Sequence, residues 1–91
     1  MAIERRRVAF TGRVQGVGFR VTCRSIARGF AVTGWVRNEP DGSVAMEAQG
    51  EADEVDRFLE AIRTSGTGRV EGIASEPIAT AASEDGFRIV R

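Results

Sequence analysis

The stretch RVAFTGRVQGVGFRVTCRSIARGF, residues 7–30, changes its period once, and that change decides the fold. Over residues 7–14 the apolar positions alternate, with Val8, Phe10 and Val14 on one face, the pattern of a half-buried strand. Gln15-Gly16-Val17-Gly18 breaks the alternation. From Phe19 the apolar residues Phe19, Cys23, Ile26, Ala27 and Phe30 fall at i, i+4, i+7, i+8 and i+11, one stripe of a helix. Gly29 stands near the expected end of that helix, where a left-handed residue would cap it.

Working outward, Val32 to Asn38 reads as a second strand, with Val32, Gly34 and Val36 on one face and Trp35 on the other. Glu39-Pro40-Asp41-Gly42 is turn chemistry, since proline presets one dihedral and glycine tolerates positive φ. Val44, Met46 and Ala48 alternate with Glu47 and Gln49, a third strand joined to the second by a hairpin. Gly50-Glu51-Ala52-Asp53-Glu54 puts acids where a helix dipole favours them, and Val55, Phe58, Leu59 and Ile62 follow at helical spacing. Ser65-Gly66-Thr67-Gly68 ends this second helix. Arg69 to Glu76 reads as a fourth strand, weakened by Gly72 and stopped by Pro77. Ile78 to Asp85 reads as a loop, and Phe87 and Ile89 suggest a short last strand.

The order is βαββαβ plus a short C-terminal strand. This predicts an α+β, ferredoxin-like split βαβ with an antiparallel-type sheet. Right-handed crossovers then put both helices on one face.

The chemistry is bounded by what is missing. Residues 1–91 are expected to form a single domain. Thirteen basic and thirteen acidic residues cancel, which lacks the cationic surplus of a nucleic-acid binder, so no nucleic-acid partner is expected. All thirteen cations are arginine, so lysine nucleophiles and Schiff bases are excluded. Histidine is absent, which removes Ser-His and Cys-His pairs and histidine metal ligands. Cys23 is the one cysteine and lies on the apolar stripe, so burial is expected rather than reactivity. No apolar run follows Arg5-Arg6-Arg7, and none approaches spanning length, so a cytoplasmic protein without membrane association is expected.

In a split βαβ the first two crossover strands run parallel with the third between them. Their C-terminal ends share one sheet edge, roughly 10 Å apart. That brings together the Gln15-Gly16-Val17-Gly18 loop, Arg20 in the first helical turn, and Asn38 at the end of the second strand. Glycines that let the chain curl before a helix N-terminus leave amide hydrogens free to cradle an anion. An arginine there can pair bidentately with phosphoryl oxygens. Taken singly, each feature has a structural reading: a tight strand-to-helix turn, a solvated surface arginine, a turn-forming asparagine. The loop is neither a Walker A motif, lacking its lysine and spacing, nor a dinucleotide fingerprint, since Val21 replaces the third glycine.

The run Gly12-Arg13-Val14-Gln15-Gly16-Val17-Gly18-Phe19-Arg20 resembles the signature of the acylphosphatase family. A second run, Gly34-Trp35-Val36-Arg37-Asn38 followed by Pro40-Asp41-Gly42, resembles its second signature, at matching spacing. The similarity continues through Gly50, the second helix, Arg69-Val70-Glu71 and Phe87-Arg88-Ile89. The resemblance implies hydrolysis of the carboxylic–phosphoric anhydride of small acyl phosphates, with no metal and no cofactor. It implies Arg20 and Asn38 as catalytic residues, and phosphate binding by Gln15, Gly16, Val17, Gly18, Phe19 and Arg20.

Departures from the family pattern fall at Val21 and Thr22, where aromatic residues are frequent, and at Ala31, commonly glycine. They bear on acyl-group preference and helix-end geometry. The competing reading is a non-catalytic ferredoxin-like binding or regulatory module. A carbamoyl-phosphate-handling domain detached from a larger maturation protein is a further one. The absence of zinc-finger cysteines before Arg91 favours a free-standing enzyme, expected to act as a monomer.

Overall fold

The computed structural model describes residues 2–91. Its elements are β1 (Ile3–Arg13), α1 (Phe19–Ala27), β2 (Thr33–Asn38), β3 (Val44–Glu51), α2 (Ala52–Arg63), β4 (Arg69–Ile78) and β5 (Phe87–Ile89). One sheet runs in the order β4-β1-β3-β2-β5. β3 pairs antiparallel with both β1 and β2, so β1 and β2 run parallel with one strand between them, as the split βαβ reading requires. β5 joins the edge of β2 in parallel, through Gly34↔Phe87 and Val36↔Ile89, and makes the sheet mixed.

Alternation sorts the side chains. Val8 and Phe10 of β1, Val36 of β2, and Val44, Met46 and Ala48 of β3 share one face. Onto it pack Phe19, Cys23 and Ala27 of α1 and Val55, Phe58, Leu59 and Ile62 of α2. Both helices therefore cover the same face, and the stripe read at 3.6-residue spacing is the buried one. Aromatic edges set the packing: Phe10 meets Phe19 with centroids 5.2 Å apart, and Phe58 meets Phe87 at 5.4 Å. Offset and T-shaped pairs of this kind add about 0.5–1.5 kcal/mol beyond area burial.

Three sequence expectations are corrected. β1 begins at Ile3, four residues before the reading from residue 7. The cause is Arg5, only 3% exposed, whose guanidinium donates to Glu47 Oε1 at 2.8 Å and to both Glu84 carboxylate oxygens at 2.7 and 3.1 Å. Partners 42 and 79 residues away leave no trace in local periodicity. Pro77 does not stop β4, which continues to Ile78 with Pro77 opposite Arg6. β4 is an edge strand, where a residue without N–H can turn that side outward. Gly29 is not a left-handed cap: α1 ends through Arg28 in right-handed geometry, and Gly29 and Phe30 donate to Ile26 and Ala27 carbonyls in a tightened last turn.

Trp35 lies on the open sheet face, opposite Val36. Its ring has the Arg37 guanidinium 4.9 Å and the Arg7 guanidinium 6.0 Å from its centre. No described helix is long and apolar enough to cross a membrane.

Candidate active site

Sheet register explains why residues distant in sequence meet. Asn38, the last residue of β2, pairs with Val44, and Val44 pairs with Phe10 across β3. Asn38 has the same parity as Val36, so it faces the helices, at the sheet edge where β1 gives way to the loop. On that face the Phe10 ring rests against Phe19, the first residue of α1. Arg20 follows in the same helical turn. The edge therefore gathers the loop, Arg20 and Asn38.

The loop is bent by two left-handed glycines, Gly16 at φ 73° and Gly18 at φ 80°. A Cβ at either would meet nothing within 4 Å, so conformation, not crowding, demands glycine. Gly18 caps α1 without a side-chain hydrogen bond, and the ladder begins with Thr22 N–H donating to the Gly18 carbonyl at 3.0 Å. The amides of residues 19–21 precede that first rung. Gly16 and Gly18 are exposed, whereas Phe19 is 1% exposed and offers the outside only its main chain. Val17 is half-buried and packs against the core.

Arg20 is half-buried and enters none of the ion pairs among the described residues. No acid lies in the first turn of α1 to neutralise it. Asn38 is half-buried too, and its Oδ1 is shielded and has no hydrogen-bond partner. A shielded amide oxygen without a donor is a costly arrangement unless something else supplies one. The edge thus holds a cation without its anion, a curl of open amides, and an acceptor without its donor.

Gln15 plays a part that local pattern did not show. Its Nε2 donates to the Glu39 carbonyl at 2.7 Å and to the Ser43 carbonyl at 2.8 Å, which occupies both amide hydrogens. The hairpin tip is itself rigid: Glu39 N–H donates to Ser43 O at 2.9 Å, and Asp41 Oδ1 accepts from Ser43 N at 2.9 Å. On the far flank Thr22 and Thr67 hydroxyls meet at 3.2 Å and tie α1 to the turn before β4. Only the Asp-Gly turn chemistry hinted at this anchoring in sequence.

A concavity of about 600 Å³ lies on the open sheet face, floored by Ala9, Ala45 and Ala74. Neither Arg20 nor Asn38 lines it. Its walls carry Glu39, Asp41 and Glu76 against a single Arg7, the wrong sign for a phosphoryl dianion. Among the described residues no group of three or more His, Cys, Asp or Glu gathers in a metal-holding arrangement.

Comparisons with known proteins point to one family. The family model for acylphosphatase matches residues 6–89. An acylphosphatase of Salinibacter ruber is 49% identical over 89% of this chain and 86% of its own length. One of Clostridium acetobutylicum is 43% identical over 97% of this chain and 98% of its own. The crystal structure of acylphosphatase from Bacillus subtilis superposes with a TM-score of 0.89 at 32% identity, covering 99% of this chain and 100% of that one.

Proposed function

The chain belongs to the acylphosphatase family and hydrolyses acyl phosphates, and from that premise we propose that loop 15–20 and Arg20 hold the phosphoryl group while Asn38 orients the attacking water. The observation that carries the assignment is the set of unmet valences at one sheet edge. Arg20 lacks a carboxylate, the α1 amides precede the first helical hydrogen bond, and Asn38 Oδ1 lacks a donor.

The reaction asks little else of the protein. A carboxylate leaves readily from an acyl phosphate, so no strong general acid is needed. Phosphoryl transfer depends on positioning and on stabilising charge over the equatorial oxygens. The loop amides and the Arg20 fork supply fixed donors for those oxygens. Asn38 Oδ1 accepts a hydrogen bond from water and aims its lone pair in line with the breaking P–O bond. Phosphorus–oxygen bond formation expels the acyl carboxylate, and the water's proton passes to a phosphoryl oxygen.

Gln15 acts in this scheme through its grip on the hairpin, with its main chain contributing to the loop. Phe19 contributes its amide while its ring anchors the helix. The scheme needs no metal and no cofactor, in keeping with a chain lacking histidine. A single-domain, monomeric, cytoplasmic enzyme fits the continuous core and the few exposed large hydrophobic residues, Ile3 and Val21.

The test is hydrolysis of a synthetic acyl phosphate with chelator present. Arg20→Lys and Asn38→Ala should each lose about 100-fold or more in kcat with unchanged circular dichroism. Normal turnover by Arg20→Lys would overturn the bidentate assignment, and dependence on added metal would overturn the scheme as a whole.

A further inference from the structure

The far end of α1 borders a second cleft. It measures about 310 Å³ and lies between the helix and the starts of β2 and β5, with Phe30, Val32 and Phe87 as its floor and Arg24 and Arg28 on its wall. Arg28 stands eight residues beyond Arg20, about 12 Å along the helix. Val32 precedes β2, whereas Asn38 ends it. The cleft is therefore separate from the edge that gathers Arg20 and Asn38. Its floor is preformed: the Phe30 and Phe87 rings both rest on Phe58, with centroids 5.8 and 5.4 Å away, and Val32 is buried. Main-chain polarity beside it is already met, since the Gly86 carbonyl accepts from Gly34 N–H at 3.0 Å. The arginines are not met. Neither enters an ion pair among the described residues, and the described lining holds no acid.

We propose that this cleft binds an aromatic carboxylate, with its ring on the Phe30–Phe87 floor and its carboxylate between Arg24 and Arg28. The site is independent of the phosphate loop. Arg28 caps α1 in right-handed geometry and so stays on the face of Arg24, four residues back. Neighbours at that spacing bring two planar guanidinium groups to one anion. Charge decides the sign of the ligand: a helix C-terminus carries about half a negative charge, and two guanidinium groups outweigh it about fourfold. A volume at the lower end of the small-ligand range takes one or two rings rather than a larger body. A plain inorganic anion gains nothing from the phenylalanine rings, and an aromatic cation is repelled by the arginines. The lining comes from residues 24–32 and 86–87, which meet only in the folded chain, so occupancy favours the native state. β5, paired to β2 through three residues, is the element that occupancy fastens.

The probe is 2-naphthoate, titrated into isotope-labelled protein at constant ionic strength and followed by heteronuclear NMR. Saturable shifts should centre on the amides of residues 27–32 and 86–88, with contacts from the naphthalene rings to the Phe30 and Phe87 side chains. 2-Naphthylmethanol keeps the rings without the charge and should bind about tenfold more weakly, and 2-naphthylmethylammonium more weakly still. Arg24→Gln should cost naphthoate about tenfold in affinity, with circular dichroism unchanged, and leave naphthylmethanol within about twofold. Naphthoate should raise the melting midpoint of wild type more than that of Arg24→Gln at the same concentration. Excess inorganic phosphate should leave the shifts in place. Displacement by phosphate, shifts centred on residues 16–21 or on the open sheet face, or equal naphthoate affinity in wild type and Arg24→Gln overturns the proposal.

Discussion

The side-chain amide of Gln15 donates to the main-chain carbonyl of Glu39 at 2.7 Å, and through that bond the loop after β1 is fastened beside the hairpin that begins at Asn38. The second hydrogen of the same amide reaches Ser43, so one residue spans both ends of a rigid turn. The loop and Asn38, to which we assign phosphate binding and water orientation, belong to different strands. Their relative placement is set by this bridge as much as by the sheet.

Replacing Gln15 with Met keeps the volume and removes both bonds. Two half-buried carbonyls each lose one donor but keep a main-chain one, Gly42 N–H on the Glu39 carbonyl and Glu39 N–H on the Ser43 carbonyl, which costs stability by about 0.5–1.5 kcal/mol per bond. The catalytic consequence falls on kcat, because the loop amides and Arg20 remain together on α1 while their distance to Asn38 relaxes. Urea melts and steady-state kinetics check this. Inhibition by inorganic phosphate should stay within about threefold of wild type while kcat falls about tenfold or more.

Glu84 ties the 79–86 loop to the sheet through Arg5. Its carboxyl is held below the usual carboxylate range, chiefly because the Arg5 guanidinium donates to it. A depressed folded-state value means that the contact stabilises fully above the ordinary carboxylate range. It is lost as pH falls through the lowered value. Urea midpoints measured from pH 7 down to pH 2 should therefore fall more steeply for wild type than for Glu84→Gln.

Cys23 is buried among the residues of α1 that face the sheet, and burial pushes its thiol up to about 12. At pH 8 the thiolate is a fraction of about one in ten thousand, before access is considered. A thiol reagent should label the native protein only as fast as it opens. Denatured protein should label at once. Rapid native labelling would contradict the packing described.

Phe58 touches Phe30 on one side and Phe87 on the other, with centroids 5.8 and 5.4 Å away. Phe58→Ala should cost about 3–5 kcal/mol, as a cavity at the junction of both helices and β5. Calorimetry or denaturant melts read it directly. A loss under 1 kcal/mol, on the order of a surface change, would mean that the core closes over the gap.

Most of the architecture was legible because it is local. Phe19, Cys23 and Ala27 recur at helical spacing, Val44, Met46 and Ala48 at strand spacing, and all are buried. The gathering of Arg20 and Asn38 followed from topology alone. What escaped was set by neighbours distant in sequence. Arg5 is an arginine in a buried position only because Glu47 and Glu84 arrive there. Pro77 stays in a strand only because that strand is an edge, and edges are a property of the finished sheet. Gly29 does not use its left-handed freedom, because the chain leaves α1 through a tightened right-handed turn. The anchoring role of Gln15 depends on a hairpin 24 residues away.

The dianion cradle proposed at the tip of β1 can be tested without turnover. Titrate inorganic phosphate into the labelled protein at constant ionic strength, and follow main-chain amide and side-chain N–H resonances by heteronuclear NMR. The expected result is saturable shifts centred on the amides of residues 16–21, the Arg20 guanidinium and the Asn38 side chain, abolished in Arg20→Lys. Shifts centred instead on the open-face concavity around Arg7 and Glu76, or no saturable response up to millimolar phosphate, would contradict it.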